Sequence, residues 1–303
     1  MSLFAWLDYS EIERGRMMDV IDLFREKDTV DELGLGAIRD AIGNRLFPGT
    51  STVMSRARYY LLVPWTYQSL EAKQVPAAKF GHRARNAELE LIDVIEASED
   101  HKGNIGRRAR FALKRLPSTI YWSGMRLWGI RNGRGSQADY HRGVDDMYRR
   151  SKLRLERGAA RDTEHDDTER GYWHGGLPTP PATFPSECSL RLRYRDAEYL
   201  ADRICTAADT RDSLLATLVL RRRRWNEREL IWFHPDQGSW PLLLREIVDH
   251  ARLFSEVMHG AALLYNHLLM GRLGKESSFE EALDAWWKVM EERAEAFEAW
   301  DKR

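Results

Sequence analysis

Apolar positions recur at three- and four-residue intervals along most of the chain, a spacing that predicts amphipathic helices and few strands. Ser10-Glu11-Ile12-Glu13 has the form of a capping box and predicts a helix through Ile21 and Phe24. Leu35, Ile38, Ile42 and Leu46 share one helical face, so residues 33–46 read as a helix that Pro48-Gly49 stops. A third helix is expected to begin near Thr50–Thr52 and run to about Leu70, kinked or divided at Pro64. Leu89, Ile92 and Ile95 mark a fourth over about 83–97. A short basic stretch, 106–116, precedes a helix opened by Pro117-Ser118 that carries Ile120, Tyr121, Met125 and Trp128. Residues 136–156 read as a charged helix.

The pattern breaks between Arg157 and Ser189, where Pro178, Pro180, Pro181 and Pro185 follow a hydrophilic run. At roughly 30 residues this is long for a loop inside a compact domain, which favours a linker or a functional loop. Helical spacing returns at 196–207, at 213–224, from Pro241 through Leu253 and Met258 towards Met270, and after a second capping box at Ser278–Glu281. Leu190–Tyr194 is the best of the few strand signals, and Trp232–Pro235 reads as a turn. The expected fold is therefore mainly α. It comprises an amino-terminal helical lobe (1–157), a Pro/Gly-rich linker or loop (158–188) and a carboxy-terminal helical lobe (189–303).

Composition narrows the class. A chain of 303 residues with 43% hydrophobic and 31% charged residues can bury a full core without staples. Two cysteines, Cys188 and Cys205, make neither a disulfide framework nor a metal set and suit a reducing compartment. Neither a signal peptide nor a transmembrane run is read, so a cytoplasmic, membrane-free protein is expected. Net charge is zero, but the charges are segregated. Residues 1–34 hold four Lys/Arg against nine Asp/Glu, residues 79–157 eighteen against ten, and residues 275–303 five against nine. A basic middle between acidic ends suits a polyanion-binding face, or charge pairing within the fold and with partners.

Three groups are candidates for function. If a helix begins near residue 50, its free amides, the hydroxyls of Thr50, Ser51 and Thr52, and the guanidinium groups of Arg56 and Arg58 could seat a phosphate. The other reading is a helix cap with arginines paired to Asp31, Glu32 or Asp40. The lysine of a Walker phosphate loop is absent. Arg107, Arg110 and Lys114 would share a helix face, with Arg108 and Arg115 beside it and Trp122 close behind. Such a set would contact nucleic acid or a partner, unless the aromatics are core and the cations a solvated flank. The run Arg221–Arg224 suits a helix end paired with acidic residues of the last helix. His165-Asp166-Asp167 reads as solvated, and no metal motif, nucleophile elbow or dinucleotide fingerprint is present; no cofactor or metal is expected.

The blocks Trp6–Glu11, Phe24–Ala41 and Leu46–Trp65 resemble a family of bacterial proteins known only as a domain of unknown function. The likeness continues through Ile105–Ile130, Trp173–Pro181 and Ser213–Leu218, and departs at Met54-Ser55, where a Gln-Thr pair is expected. The family lends no reaction and no catalytic residues. Its members sit beside bacterial genome-defence or mobile-element genes, which implies DNA or RNA, or a helicase or nuclease, as partners. The expectation is a non-catalytic component of a genome-defence or DNA-transaction system. The alternatives are a metal-dependent nuclease or nucleotide-processing enzyme, and a docking scaffold without nucleic-acid affinity.

Overall fold

The structure is a computed structural model and describes residues 34–156, 171–221, 230–274 and 279–301. Ten α-helices follow one another among these residues, and the fold is mainly α. No strand forms among them; the one ladder contact is an isolated bridge between Arg131 and Trp173. No helix of the described residues is long and apolar enough to cross a membrane. The helix expected from Ser10 lies outside the described residues.

The chain divides into two compact units, residues 47–222 and residues 1–46 with 223–303. These cuts differ from the boundaries at 157 and 189 that the Pro-rich stretch suggested. The physical reason is that the described part of that stretch, 171–190, is a packed strap. Trp173 is buried, the indole of Trp65 donates to the Pro178 carbonyl at 2.6 Å, and Phe184 packs edge-on against Trp65. Its backbone is tied by bonds from Asn132 to Tyr172 and from His174 to Ile130. Its apolar residues anchor it in spite of its prolines.

In the 47–222 unit the central element is α2 (Tyr59–Ala72), following α1 (Leu35–Leu46). Every residue from Tyr59 to Tyr67 is buried. The helix runs on through Pro64, so of the two expectations, a kink or a division, the division does not occur. A proline inside a helix costs about 3 kcal/mol. Each buried large apolar side chain returns about 1.5–3 kcal/mol, and α2 buries seven in nine positions, so the core overrides the breaker. Around it stand α3 (Ala77–Glu96), α4 (Pro117–Leu127), α5 (Gln137–Glu156), α6 (Tyr194–Thr206) and α7 (Leu214–Arg221). Tyr67 is ringed by Phe80, Trp122, Tyr140, His141 and Trp173, an aromatic cluster shared by α2, α3, α4, α5 and the strap.

Several helix starts follow from local chemistry. Ser136 and Asp139 cap α5 reciprocally, and Asp145 accepts the first amide of α3 at 3.0 Å, an acid at a positive helix end. α3 opens six residues earlier than its apolar face suggested, directly after Pro76.

The other unit is built on α8 (Leu242–Arg272), packed by α1, by α9 (Glu280–Glu292) and followed by α10 (Ala294–Asp301). Buried Glu256 accepts from Arg252 at 2.9 Å and from Arg293, while the Trp286 indole donates to the Glu256 carbonyl at 2.7 Å. Towards its carboxy end α8 shows Val257, Leu264, Tyr265, Leu268 and Leu269 to solvent.

Candidate nucleic-acid interface

The proposed phosphate seat at residues 50–58 is not assembled. No helix begins at Thr50–Thr52; α2 starts nine residues after Thr50. Gly49 adopts φ +81° with its Cα against Trp128 and Gly124, and the Thr50 hydroxyl donates back to the Phe47 carbonyl at 2.8 Å. The chain therefore turns where a helix was expected, and Ser51 and Thr52 stay exposed. Arg56 pairs with Asp100 at 2.5 Å and reaches the Leu190 carbonyl. Arg58 is buried against Asp196, with its guanidinium 4.9 Å from the Trp65 ring centre. Burial, and then nearby Arg193, lower its pKa to about 10. Arg56 ties its loop to two others through its carboxylate and carbonyl partners, and Arg58 ties the start of α2 to α6 and is closed off from a ligand.

Residues 106–116 also differ from expectation. Only one 3-10 turn forms there, Arg110–Ala112, so Arg107, Arg110 and Lys114 do not share a helical stripe. The loop is pinned from beneath. Leu113 packs on Leu89, Ile92 and Leu116, and Arg85 of α3 donates to the carbonyls of Phe111 and Leu113, each at 3.1 Å. Gly106 at φ +89° lies so close to Ile92 and Leu113 that a side chain there would clash. Arg107 pairs with Glu96 at 2.7 Å, and Arg110 pairs with Asp93. Arg108, Lys114 and Arg115 are exposed and pair with no described acid. Trp122, a candidate contact whose other reading was core, is core: it is 7% exposed, with the Arg131 guanidinium 4.7 Å from its ring centre.

Sequence reasoning missed a second basic segment. Leu190–Tyr194, the best strand signal, pairs with no strand; residues 190–193 lead directly into α6, which Tyr194 opens. Arg191, Arg193 and Arg195 are all exposed, and none pairs with a described acid. The signal was present: no Asp or Glu occurs between Glu187 and Asp196, nor between Asp100 and Asp139.

The two segments meet the same short connection after α3. The Leu190 amide donates to the Asp100 carbonyl at 3.1 Å. Four residues on, the Asn104 amide group donates to the Ile92 carbonyl and to Glu96, the carboxylate that holds Arg107. Residues 100–107 thus carry one basic segment directly and support the other. Each segment can offer cations to a phosphate backbone, with one exposed ring beside them, Phe111 in the first and Tyr194 in the second.

Buried acids are occupied: Asp196, next to Arg195, pairs with Arg58. Glu71 accepts from Tyr140 and from the Trp173 indole. Glu88, which burial pushes up to about 7, accepts the Ser118 amide at 2.8 Å. It borders a cavity of about 10 Å³, room for one water and not for a substrate. Among the described residues no three His, Cys, Asp or Glu side chains gather as a metal site. His165–Asp167 and Arg222–Arg224 lie outside the described residues.

The model of a family of unknown function, DUF6361, matches residues 1–300. No curated protein and no solved structure matches the chain.

Proposed function

The chain belongs to the family of unknown function DUF6361, and we propose, from its own surface, that it is a non-catalytic component that binds nucleic-acid phosphates. The binding groups are Arg108, Lys114 and Arg115 of the pinned loop and Arg191, Arg193 and Arg195 before and at the start of α6. One observation carries this reading. The neighbouring Arg56, Arg58, Arg107 and Arg110 are each neutralised by a carboxylate, while these six are exposed and meet no carboxylate among the described residues. The three like charges on each segment repel one another, and an external polyanion relieves that repulsion. A bacterial genome-defence or DNA-transaction setting, with a helicase or nuclease as partner, is supported by the resemblance described above.

The test is oligonucleotide binding by fluorescence anisotropy across a salt series. Six phosphate contacts lower affinity by about 10³-fold between 50 and 200 mM salt. Arg108→Glu with Lys114→Glu and Arg115→Glu should weaken binding and flatten that dependence, whereas Ser51→Ala with Thr52→Ala should change nothing. Affinity indifferent to salt, or to the triple reversal, would sink the reading. The apolar stripe on α8 favours a second reading, a docking protein without nucleic-acid affinity. Stoichiometric co-purification of a partner, with no oligonucleotide bound at 50 mM salt, would select it.

A further inference from the structure

We infer that the strand taken by this surface is single-stranded, with unpaired bases stacking on the rings of Phe111 and Tyr194; the inference rests on the nucleic-acid reading above. Phe111 is 78% exposed and Tyr194 74% exposed. Burying a ring of that size elsewhere would return about 1.5–3 kcal/mol, so its display is a cost the fold carries.

Neither ring sits on a loose end. Phe111 follows Arg110, a non-glycine residue at φ +43°, a conformation that costs roughly 1–2 kcal/mol. The carbonyls of Phe111 and Leu113 are held by Arg85, and Leu113 is plugged into the small core beneath. The backbone thus holds Phe111 at the apex while the next anchor points inward. Tyr194 opens α6, which is fixed two residues later by the buried Asp196–Arg58 pair and then by Tyr199, Leu200 and Ile204.

The order of chemistry is the same in both places. A cation precedes the ring and a cation follows it: Arg108, Phe111, Lys114 in the loop, and Arg193, Tyr194, Arg195 at α6. Cations follow a phosphate backbone, and a ring face binds the face of a base. In a duplex those base faces are covered by their stacked neighbours, so the rings would gain nothing there. No Asn or Gln, the side chains that read adenine in a duplex, lies within 108–115 or 191–195. Ring faces and phosphates are common to DNA and RNA, so the surface recognises the unpaired strand rather than its sugar.

The experiment compares the wild-type full chain with the Phe111→Ala/Tyr194→Ala double variant. Each is titrated with a labelled 20-nucleotide single-stranded DNA, the same sequence as RNA, the matching duplex, and phosphatidylserine-containing vesicles, all at 100 mM salt. Both substitutions are at exposed positions, and thermal unfolding checks that the fold persists. The wild type should favour either single strand over the duplex by at least tenfold. The double variant should lose roughly 5- to 100-fold per ring on single strands, with duplex affinity and the salt slope unchanged. Equal affinity for single strand and duplex, or single-strand binding indifferent to the double variant, overturns this inference and leaves the nucleic-acid reading standing. No binding to any oligonucleotide overturns both, and vesicle binding that Phe111 alone supports would assign the ring to a membrane surface.

Discussion

Glu88 shows what burial does to a single charge in this protein. Its carboxylate is buried and receives the Ser118 amide, and burial raises its pKa to about 7 in spite of that bond and of nearby Arg85. The unfolded chain releases this proton near pH 4.3, so between about pH 4.3 and 7 the folded state holds a proton that the unfolded state has lost. Stability from this residue therefore falls as pH rises through that window, by roughly 3 kcal/mol in all. Glu71 acts in the same direction, since burial raises its pKa as well. Glu88→Gln should flatten the pH dependence, so that its stability relative to wild type improves from pH 5 to about pH 7 and then levels off towards pH 8. Urea unfolding at four pH values measures this, and parallel curves would refute the assignment. Arg58 is a buried cation paired with Asp196, and it illustrates why a basic residue in sequence is not a basic patch in space.

At the scale of elements, α8 and its two glycines put two effects in direct competition. Replacing glycine by alanine in a helix gains about 1 kcal/mol of propensity. At Gly271 a new methyl meets nothing, so Gly271→Ala should stabilise by about 0.5–1 kcal/mol. At Gly260 the methyl would overlap the Trp286 ring, whose indole is already bonded to the Glu256 carbonyl. Overpacking costs about 1–3 kcal/mol, so Gly260→Ala should be destabilising on balance and should move Trp286 into a more polar environment. Denaturant midpoints and tryptophan emission together check both signs. The same contest explains α2, where core burial outweighs Pro64, and the strap, where Trp173 and Phe184 outweigh four prolines.

For the whole molecule, the formal net charge of zero and an isoelectric point near 7.1 rule out a diffuse attraction for polyanions. Any binding must come from local fields at the two segments, which salt screens over about 8–10 Å. Arginine and lysine keep their charge well past neutrality. Binding of an oligonucleotide at pH 8, above the isoelectric point, should therefore be close to that at pH 6.5 at the same ionic strength. A collapse in affinity between those values would show that net charge, not the six exposed cations, drives association.

Most helices were legible because periodic apolar residues report a buried face wherever the partner lies. Residues 33–46 and 136–156 became α1 and α5 with shifts of one or two residues, and Pro117 began α4. The start of α2 was not legible, because it depends on contacts far along the chain. Ser55 reaches the Gly103 carbonyl, and Tyr121 bonds the backbone of Arg56. The candidate surface divided in the same way. Arg108, Lys114 and Arg115 were named from their spacing, while Trp122 went to the core and Arg191–Arg195 was passed over as a weak strand. Local periodicity and charge are properties of neighbours in the chain, so they can be read directly. Which guanidinium meets a carboxylate, and which ring meets water, is settled by residues forty or a hundred positions away, through packing that no local pattern encodes.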